Sequence, residues 1–103
     1  MSFEAYTLSA REAETEEGIS VDLTAEDGTI ERSTWIDYED YGLTTDGGER
    51  PTERSARFET DATRVDLQVV RDGGAFEVQV RGDSGVLERI RVNDEEWNLT
   101  LVE

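Results

Sequence analysis

The sequence predicts an all-β protein, folded as a single-domain antiparallel sandwich or a small, partly open barrel of about seven to eight short strands. Apolar and polar residues alternate with period two over most of the chain. Turn-forming residues interrupt that alternation roughly every ten residues in the C-terminal half. The length of 103 residues suits one core, so a single domain over residues 1–103 is expected.

The C-terminal half predicts an antiparallel meander of four strands. Alternate apolar residues fall on one face in the segments 65–69, 76–80, 86–92 and 97–101. Breaks rich in Gly, Asp and Asn separate these segments at residues 72–74, 82–85 and 93–96. Because strands joined by short turns usually pair with their neighbours in sequence, the four segments are expected to form one sheet.

The N-terminal half predicts a hairpin formed by residues 19–26 and 29–38. Asp27 and Gly28 stand where a two-residue type I′ turn belongs, since both central residues of that turn need positive φ. Residues 42–55 contain the only Pro and two adjacent Gly, which is typical of a long loop. A short strand is expected after it, at residues 56–60.

Residues 1–18 allow three interpretations. Phe3 to Leu8 fits a strand, whereas Ser9 and Glu12 fit a capping box at the start of a short helix. That helix would have almost no apolar face, so an acidic loop fits equally well. The local pattern does not choose among them.

The charged composition excludes several classes of function. The chain has 26 Asp and Glu against 10 basic residues, all of them Arg, and a formal net charge of −16. Since Cys and His are absent, thiol nucleophiles, disulfides, histidine metal sites and serine–histidine triads are excluded. Nucleic-acid binding is disfavoured, because a strongly negative chain repels phosphates at ordinary salt.

The distribution of the acids indicates adaptation to molar intracellular salt. They are spread from Glu4 to Glu103, and Lys is absent while Arg persists. This composition resembles that of haloarchaeal proteins, which work at salt concentrations where the Debye length is roughly 3 Å or less. The N-terminus has neither a basic region nor a long apolar run, and no apolar stretch is long enough to span a bilayer. We therefore expect a cytoplasmic protein with no membrane partner.

Residues 35–42 are the densest candidate site, with three aromatic residues and three carboxylates in eight positions. A calcium loop that starts at Asp37 fails, because Tyr41 occupies its fifth position and Gly48 its twelfth, where a bidentate Glu is required. Tyr38 and Tyr41 are candidates for an interaction surface, since Tyr offers a large contact area with few rotatable bonds. The alternative is that these aromatic residues fill the core.

Four arginines of the meander are expected on its outer face: Arg71, Arg81, Arg89 and Arg91. They alternate with acidic residues, which fits a solvated face of cross-strand ion pairs. The pattern also fits a recognition patch, because several guanidinium groups on one sheet face can bind a carboxylate or a phosphate.

No motif selects an activity, so we expect neither catalysis nor a metal or cofactor. The leading hypothesis is a non-catalytic protein-interaction or structural module of a halophilic cell, which binds an unknown protein or a second copy of itself. One alternative is a β barrel that binds a small ligand or a divalent cation near residues 37–42. The other is an acidic mimic of nucleic acid that binds a basic protein.

Overall fold

The computed structural model describes residues 3–102 and confirms the all-β, antiparallel fold class. Its nine strands are β1 (Glu4–Glu12), β2 (Gly18–Ala25), β3 (Ile30–Asp37), β4 (Leu43–Thr45), β5 (Glu53–Thr60), β6 (Asp66–Asp72), β7 (Ala75–Arg81), β8 (Val86–Asn93) and β9 (Leu99–Leu101). A short 3₁₀ helix, Tyr38–Tyr41, follows β3. Within residues 3–102 no helix is long and apolar enough to cross a membrane.

Two larger sheets and one small sheet make up the fold. The first has four strands in the order β3-β2-β1-β5, the second has three in the order β6-β7-β8, and β4 pairs with β9. The free edges of the two larger sheets approach each other, because β5 lies beside β8 and β3 lies beside β6. Arg32 on β3 joins Asp66 on β6 through an ion pair of 3.2 Å. The result is a sandwich whose edges nearly close.

The inner faces of the two larger sheets share one hydrophobic core. Alternation places Leu8 on β1, Val21 on β2 and Val78 on β7 in that core, where all three are fully buried. Trp97 and Phe76 are also fully buried and fill one end with large aromatic side chains.

Residues 4–12 form a strand, so the strand interpretation is confirmed there and the helix at Ser9 is wrong. Residues 13–17 form a turn, which fits the acidic loop, and residues 1–2 lie outside the described part of the chain. β1 lies between β2 and β5, with Ser9 opposite Asp22 on one side and Ser55 on the other. No cap can form at Ser9, because its backbone belongs to the sheet. The inward positions Tyr6, Leu8 and Ala10 are buried, and this burial favours the strand.

The predicted long loop at residues 42–55 is much shorter in the structure. Leu43 is buried and opposite Leu101, and this pairing creates β4 within the predicted loop. At the other end, β5 begins at Glu53 and not at residue 56, because residues 53–55 pair with β1. The connecting segment therefore covers residues 46–52 only.

The C-terminal meander has three strands, not the four predicted. The fourth predicted strand exists as β9, but it pairs with β4 in a separate sheet. The chain turns away after β8 in a tight turn, in which the amide of Trp97 donates to the carbonyl of Asn93 at 3.0 Å. Asn98 completes the turn with a φ of 55°. This turn inserts Trp97 into the core, and β9 leaves the sheet as a consequence.

The predicted hairpin forms as β2 and β3, but its turn is longer than a type I′ turn. Residues 26–29 connect the strands, and the amide of Ala25 donates to the carbonyl of Thr29 at 2.7 Å. Gly28 has a φ of 91°, whereas Asp27 does not adopt positive φ. Asp27 instead accepts a hydrogen bond from the amide of Thr29 through its side chain, at 3.0 Å. That bond lowers the pKa of the Asp27 carboxyl.

Candidate interaction surface

The outer face of the three-stranded sheet carries three of the four predicted arginines. In β7, the alternation that buries Val78 and Val80 points Arg81 outward. In β8, burial of Ile90 and Val92 does the same for Arg89 and Arg91. We call this surface the arginine face and define it by Asp66, Gln68, Glu77, Gln79, Arg81, Arg89 and Arg91.

Arg81 is held on the arginine face by amides and not by a carboxylate. Its Nη1 donates to Oε1 of Gln68 at 3.1 Å and to Oε1 of Gln79 at 3.3 Å. It makes no ion pair within 4.0 Å to any residue of the described chain. Asp66 is opposite Arg81 on β6, but its carboxylate pairs with Arg32 at 3.2 Å. The remaining N–H donors of Arg81 are free to bind an incoming acceptor.

Glu77 balances only part of the positive charge on this face. Its carboxylate lies 3.3 Å from Nη1 of Arg89 and 3.8 Å from Nη1 of Arg91, and it accepts a hydrogen bond from Gln79 at 3.0 Å. Arg91 also pairs with Asp72 at the rim, at 3.2 Å. The Arg89 side chain is 61% exposed, so water screens its interaction with Glu77 strongly. Arg81 and Arg89 are therefore the most available cations of the arginine face.

Arg71 lies on the opposite side of its sheet from the arginine face, contrary to the expectation. It is opposite Phe76, whose side chain points into the core, so Arg71 also points inward at the end of β6. Its guanidinium makes a bidentate pair with Asp94, at 2.7 and 2.6 Å, and lies 4.5 Å from the centroid of the Phe76 ring. The hydrogen bond to Asp94 raises the pKa of Arg71. Arg71 is therefore a structural tie between β6 and the turn that follows β8.

The two candidate tyrosines occupy different environments. Tyr41 is partly exposed and meets the edge of the Phe76 ring, with centroids 4.8 Å apart and an interplanar angle of 84°. Tyr38 is only 2% exposed, so it contributes no interaction surface and fills the core instead. Its hydroxyl donates to Oε2 of Glu12 at 2.6 Å. Burial, followed by that hydrogen bond, raises the pKa of Tyr38.

Among the acids of residues 35–42, Asp37 has a local structural role. Asp37 caps the 3₁₀ helix by accepting a hydrogen bond from the amide of Glu39 at 3.0 Å, and Gly42 ends that helix with a φ of 67°. Within the described chain, no group of three or more acidic side chains has the geometry to hold a metal ion.

Several residues have structural roles that the sequence expectations did not include. Glu12 has the same parity in β1 as Tyr6, Leu8 and Ala10, and that position predicts an inward side chain once β1 is taken to be a strand. Gln79 lies between the buried Val78 and Val80, and Gln68 lies between the partly buried Leu67 and Val69, which marks both as outward neighbours of the arginines. Arg50 has no such signal, because it lies in an irregular segment.

No family model matches the chain, and no curated protein or solved structure is significantly similar to it. The fold and the side chains of this chain are therefore the basis for any functional proposal.

Proposed function

We propose that this chain is a non-catalytic protein-binding module that docks an acidic, extended segment of a partner protein on the arginine face. The observation that carries the proposal is Arg81, a guanidinium oriented by two glutamine amides and left without a carboxylate. A guanidinium binds a carboxylate through two parallel N–H donors, which gives both orientation and energy.

The spacing of Arg81 and Arg89 suits alternate residues of an extended chain. Arg89 is opposite Gln79, and Arg81 follows two residues after Gln79, past a register shift between Val80 and Arg81, so the arginines are close to diagonal neighbours on adjacent strands. Diagonal neighbours on one sheet face stand roughly 7–8 Å apart. Side chains at positions i and i+2 of a strand are about 6.6 Å apart. A partner segment with carboxylates at alternate positions therefore matches both arginines.

The small-ligand alternative has weaker support from the geometry. Small-ligand sites are mostly apolar concave pockets with a few polar groups. Beside the 3₁₀ helix lies a surface cleft of about 250 Å³, and Glu16, Glu17, Asp37 and Glu39 contribute to its lining. Tyr38 and Leu43 also line it, but carboxylates dominate, and that lining suits an organic ligand poorly.

The nucleic-acid mimic has weaker support from charge density. The molecule is elongated, with extents of 51 × 24 × 18 Å. A duplex of that length carries roughly 30 phosphate charges at one per 1.7 Å. The chain carries a net charge of −16, and several of its acids are neutralised by arginines. Its net charge is thus about half that of the nucleic acid it would imitate.

The proposal includes a salt-rich cytoplasm as the place where the module works. The excess of acids and the complete absence of Lys support this setting. In molar salt, repulsion between this chain and an acidic partner is screened to a few ångströms. Short-range, bidentate contacts at Arg81 and Arg89 then decide which segment binds.

The test is binding of a short synthetic peptide with Glu at alternate positions, compared with its Gln counterpart, by fluorescence anisotropy at the lowest KCl that keeps the protein folded. We expect the Glu peptide to bind about tenfold tighter. The double variant Arg81→Gln/Arg89→Gln should lose that preference. The matched control is Arg11→Gln/Arg54→Gln, which removes the same charge from exposed arginines outside the arginine face. Equal loss in both variants, or no preference in the wild type, would overturn the proposal.

A further inference from the structure

The outer face of the four-stranded sheet carries a run of small hydroxyl side chains at its centre. Its central row, read across β3, β2, β1 and β5, consists of Ser33, Asp22, Ser9 and Ser55. The next row places Thr24 opposite Thr7. In a chain with 35% charged residues, this run of small hydroxyl side chains makes a flat surface. We call it the hydroxyl face.

Two exposed apolar side chains border the hydroxyl face along β3. Trp35 is 47% exposed and Ile30 is 59% exposed, and both pair with outward positions of β2. The indole lies directly over Gly18, since a Cβ on that glycine would stand 2.5 Å from Cζ2 of Trp35. The ring is therefore held down against the sheet on one side and open to solvent on the other. An indole fixed in this way offers a large contact area at low conformational cost, which favours its burial in an interface.

The net charge of the hydroxyl face is small, which distinguishes it from the molecule as a whole. Arg11 pairs with Glu53 at 2.5 Å, and the other charged residues at outward positions are Asp22, Asp37, Arg57 and Glu59. Two arginines and four acids leave a charge of −2 on this face, in a chain of net charge −16. A face of low net charge is where two copies of a strongly negative molecule can approach each other.

We infer that the hydroxyl face is a self-association surface that binds a second copy of this chain. Charge complementarity favours a second copy of the chain as the binding partner. Asp22 and Arg57 form no ion pair with any residue in 3–102, although they share this face. In a two-fold dimer, a contact from Asp22 of one copy to Arg57 of the other occurs twice by symmetry.

The area of the face agrees with a weak dimer. Four strands spaced about 4.8 Å apart, each about eight residues long at 3.3 Å per residue, cover roughly 500 Å². Two copies would bury about 1,000 Å², which is the lower limit for a specific interface. The small side chains of Ser and Thr allow the two sheets to approach closely, with each Trp35 covered by the other copy.

The test is sedimentation equilibrium over a range of concentrations, at the lowest KCl that keeps the chain folded. The wild type should move from 11.6 kDa toward twice that mass as concentration rises. Asp22→Arg and Arg57→Asp should each weaken dimerisation about tenfold, and the double variant should restore it, because the swapped charges meet again across the two-fold axis. Rescue identifies an intermolecular pair, which a merely destabilised monomer would not show.

A second readout uses the two tryptophans. Trp97 is fully buried, so acrylamide quenching of fluorescence reports on Trp35. Quenching should fall as the wild type dimerises. The control Arg64→Asp replaces an exposed arginine outside the hydroxyl face and should dimerise normally. A wild type that stays monomeric at all concentrations overturns the inference, as does a dimer that withstands both single substitutions. The peptide assay on the arginine face is independent of either result.

Discussion

At the scale of single residues, the most constrained group is the buried triad of Glu12, Tyr38 and Arg50. Glu12 accepts a hydrogen bond from the hydroxyl of Tyr38 and forms an ion pair with Arg50, whose side chain is 5% exposed. Arg50 also donates to the carbonyl of Gly48 at 3.1 Å and reaches Glu16 at 3.1 Å. One guanidinium thereby fastens the 46–52 segment to the end of β1. Removing one member of a buried pair leaves the other charge buried without a partner, which lowers the free energy of unfolding by about 3–5 kcal/mol.

The raised pKa of Tyr38 predicts a loss of stability at alkaline pH. Burial and the hydrogen bond to Glu12 keep this phenol protonated in the folded state. In the unfolded chain it ionises near pH 10. The contribution of Tyr38 to the free energy of unfolding is therefore fully present below about pH 10. Above that pH it falls, because the phenol loses its proton in the unfolded state first. Urea unfolding between about pH 8.5 and 11 should show this decline.

The decline should become shallower in Tyr38→Phe, which has no phenol to ionise at that site. Part of the slope will remain, because the hydrogen bond to Glu4 also raises the pKa of Tyr6. Tyr41→Phe is the control, since it removes a partly exposed hydroxyl and leaves the triad intact. A slope in Tyr38→Phe as steep as that of the wild type would contradict the assignment.

At the scale of elements, the β2–β3 pair depends on the absence of a side chain at Gly18. A Cβ there would stand 2.2 Å from the carbonyl oxygen of Ile36 and 2.5 Å from Cζ2 of Trp35. The first of these neighbours is backbone and cannot rotate away. Glycine at this position therefore lets the indole lie across the neighbouring strand.

Gly18→Ala should destabilise the protein by about 1–3 kcal/mol, because the added methyl group overpacks the β2–β3 pair. Denaturant unfolding measures the loss, and the fluorescence of Trp35 should change as the indole is displaced. Gly74→Ala is the matched control, since a Cβ there meets nothing within 4 Å and the residue does not adopt positive φ. Equal stability of the two variants would show that the sheet absorbs the methyl group.

At the scale of the whole molecule, self-repulsion opposes the compact state. A net charge of −16 is distributed over 103 residues, and the charge is screened only when the Debye length becomes shorter than the spacing between acids. That length is about 10 Å at 0.1 M salt and about 3 Å at 1 M. The net stability of a small domain is only about 5–15 kcal/mol, so this repulsion is large enough to decide whether the chain folds.

Folding should therefore depend on molar KCl. Circular dichroism during a KCl titration should show a cooperative gain of β structure and near-UV signal, and low-millimolar Mg²⁺ or Ca²⁺ should add nothing at matched ionic strength. Four amide substitutions at exposed sites without ion pairs reduce the magnitude of the net charge, from −16 to −12. They are Glu14→Gln, Glu39→Gln, Asp40→Asn and Glu49→Gln. This variant should fold at lower KCl.

Two results would contradict the salt account. One is a wild type that is fully folded at low salt. The other is recovery by a millimolar divalent ion alone, which would point to a specific cation site. In that case the acids at residues 37–40 are the first to mutate, since they lie beside the carboxylate-lined cleft.

The sequence by itself determined the fold class and most of the strands of this protein. Period-two alternation in residues 65–92 and 19–38 reports which face is buried, and this local signal survives in the structure as β2, β3, β6, β7 and β8. The outward placement of Arg81, Arg89 and Arg91 follows from the same parity.

Only the tertiary structure decided the rest, because it depends on contacts between residues far apart in the chain. β1 is a strand because β2 and β5 pair with it on both sides, and β9 leaves the meander because Trp97 enters the core. Arg71 points inward and pairs with Asp94, 23 residues away in the chain. Arg50 pairs with Glu12, which is 38 residues away. Local periodicity shows which face of a strand is buried, but the partners of that face are chosen only when the whole chain packs.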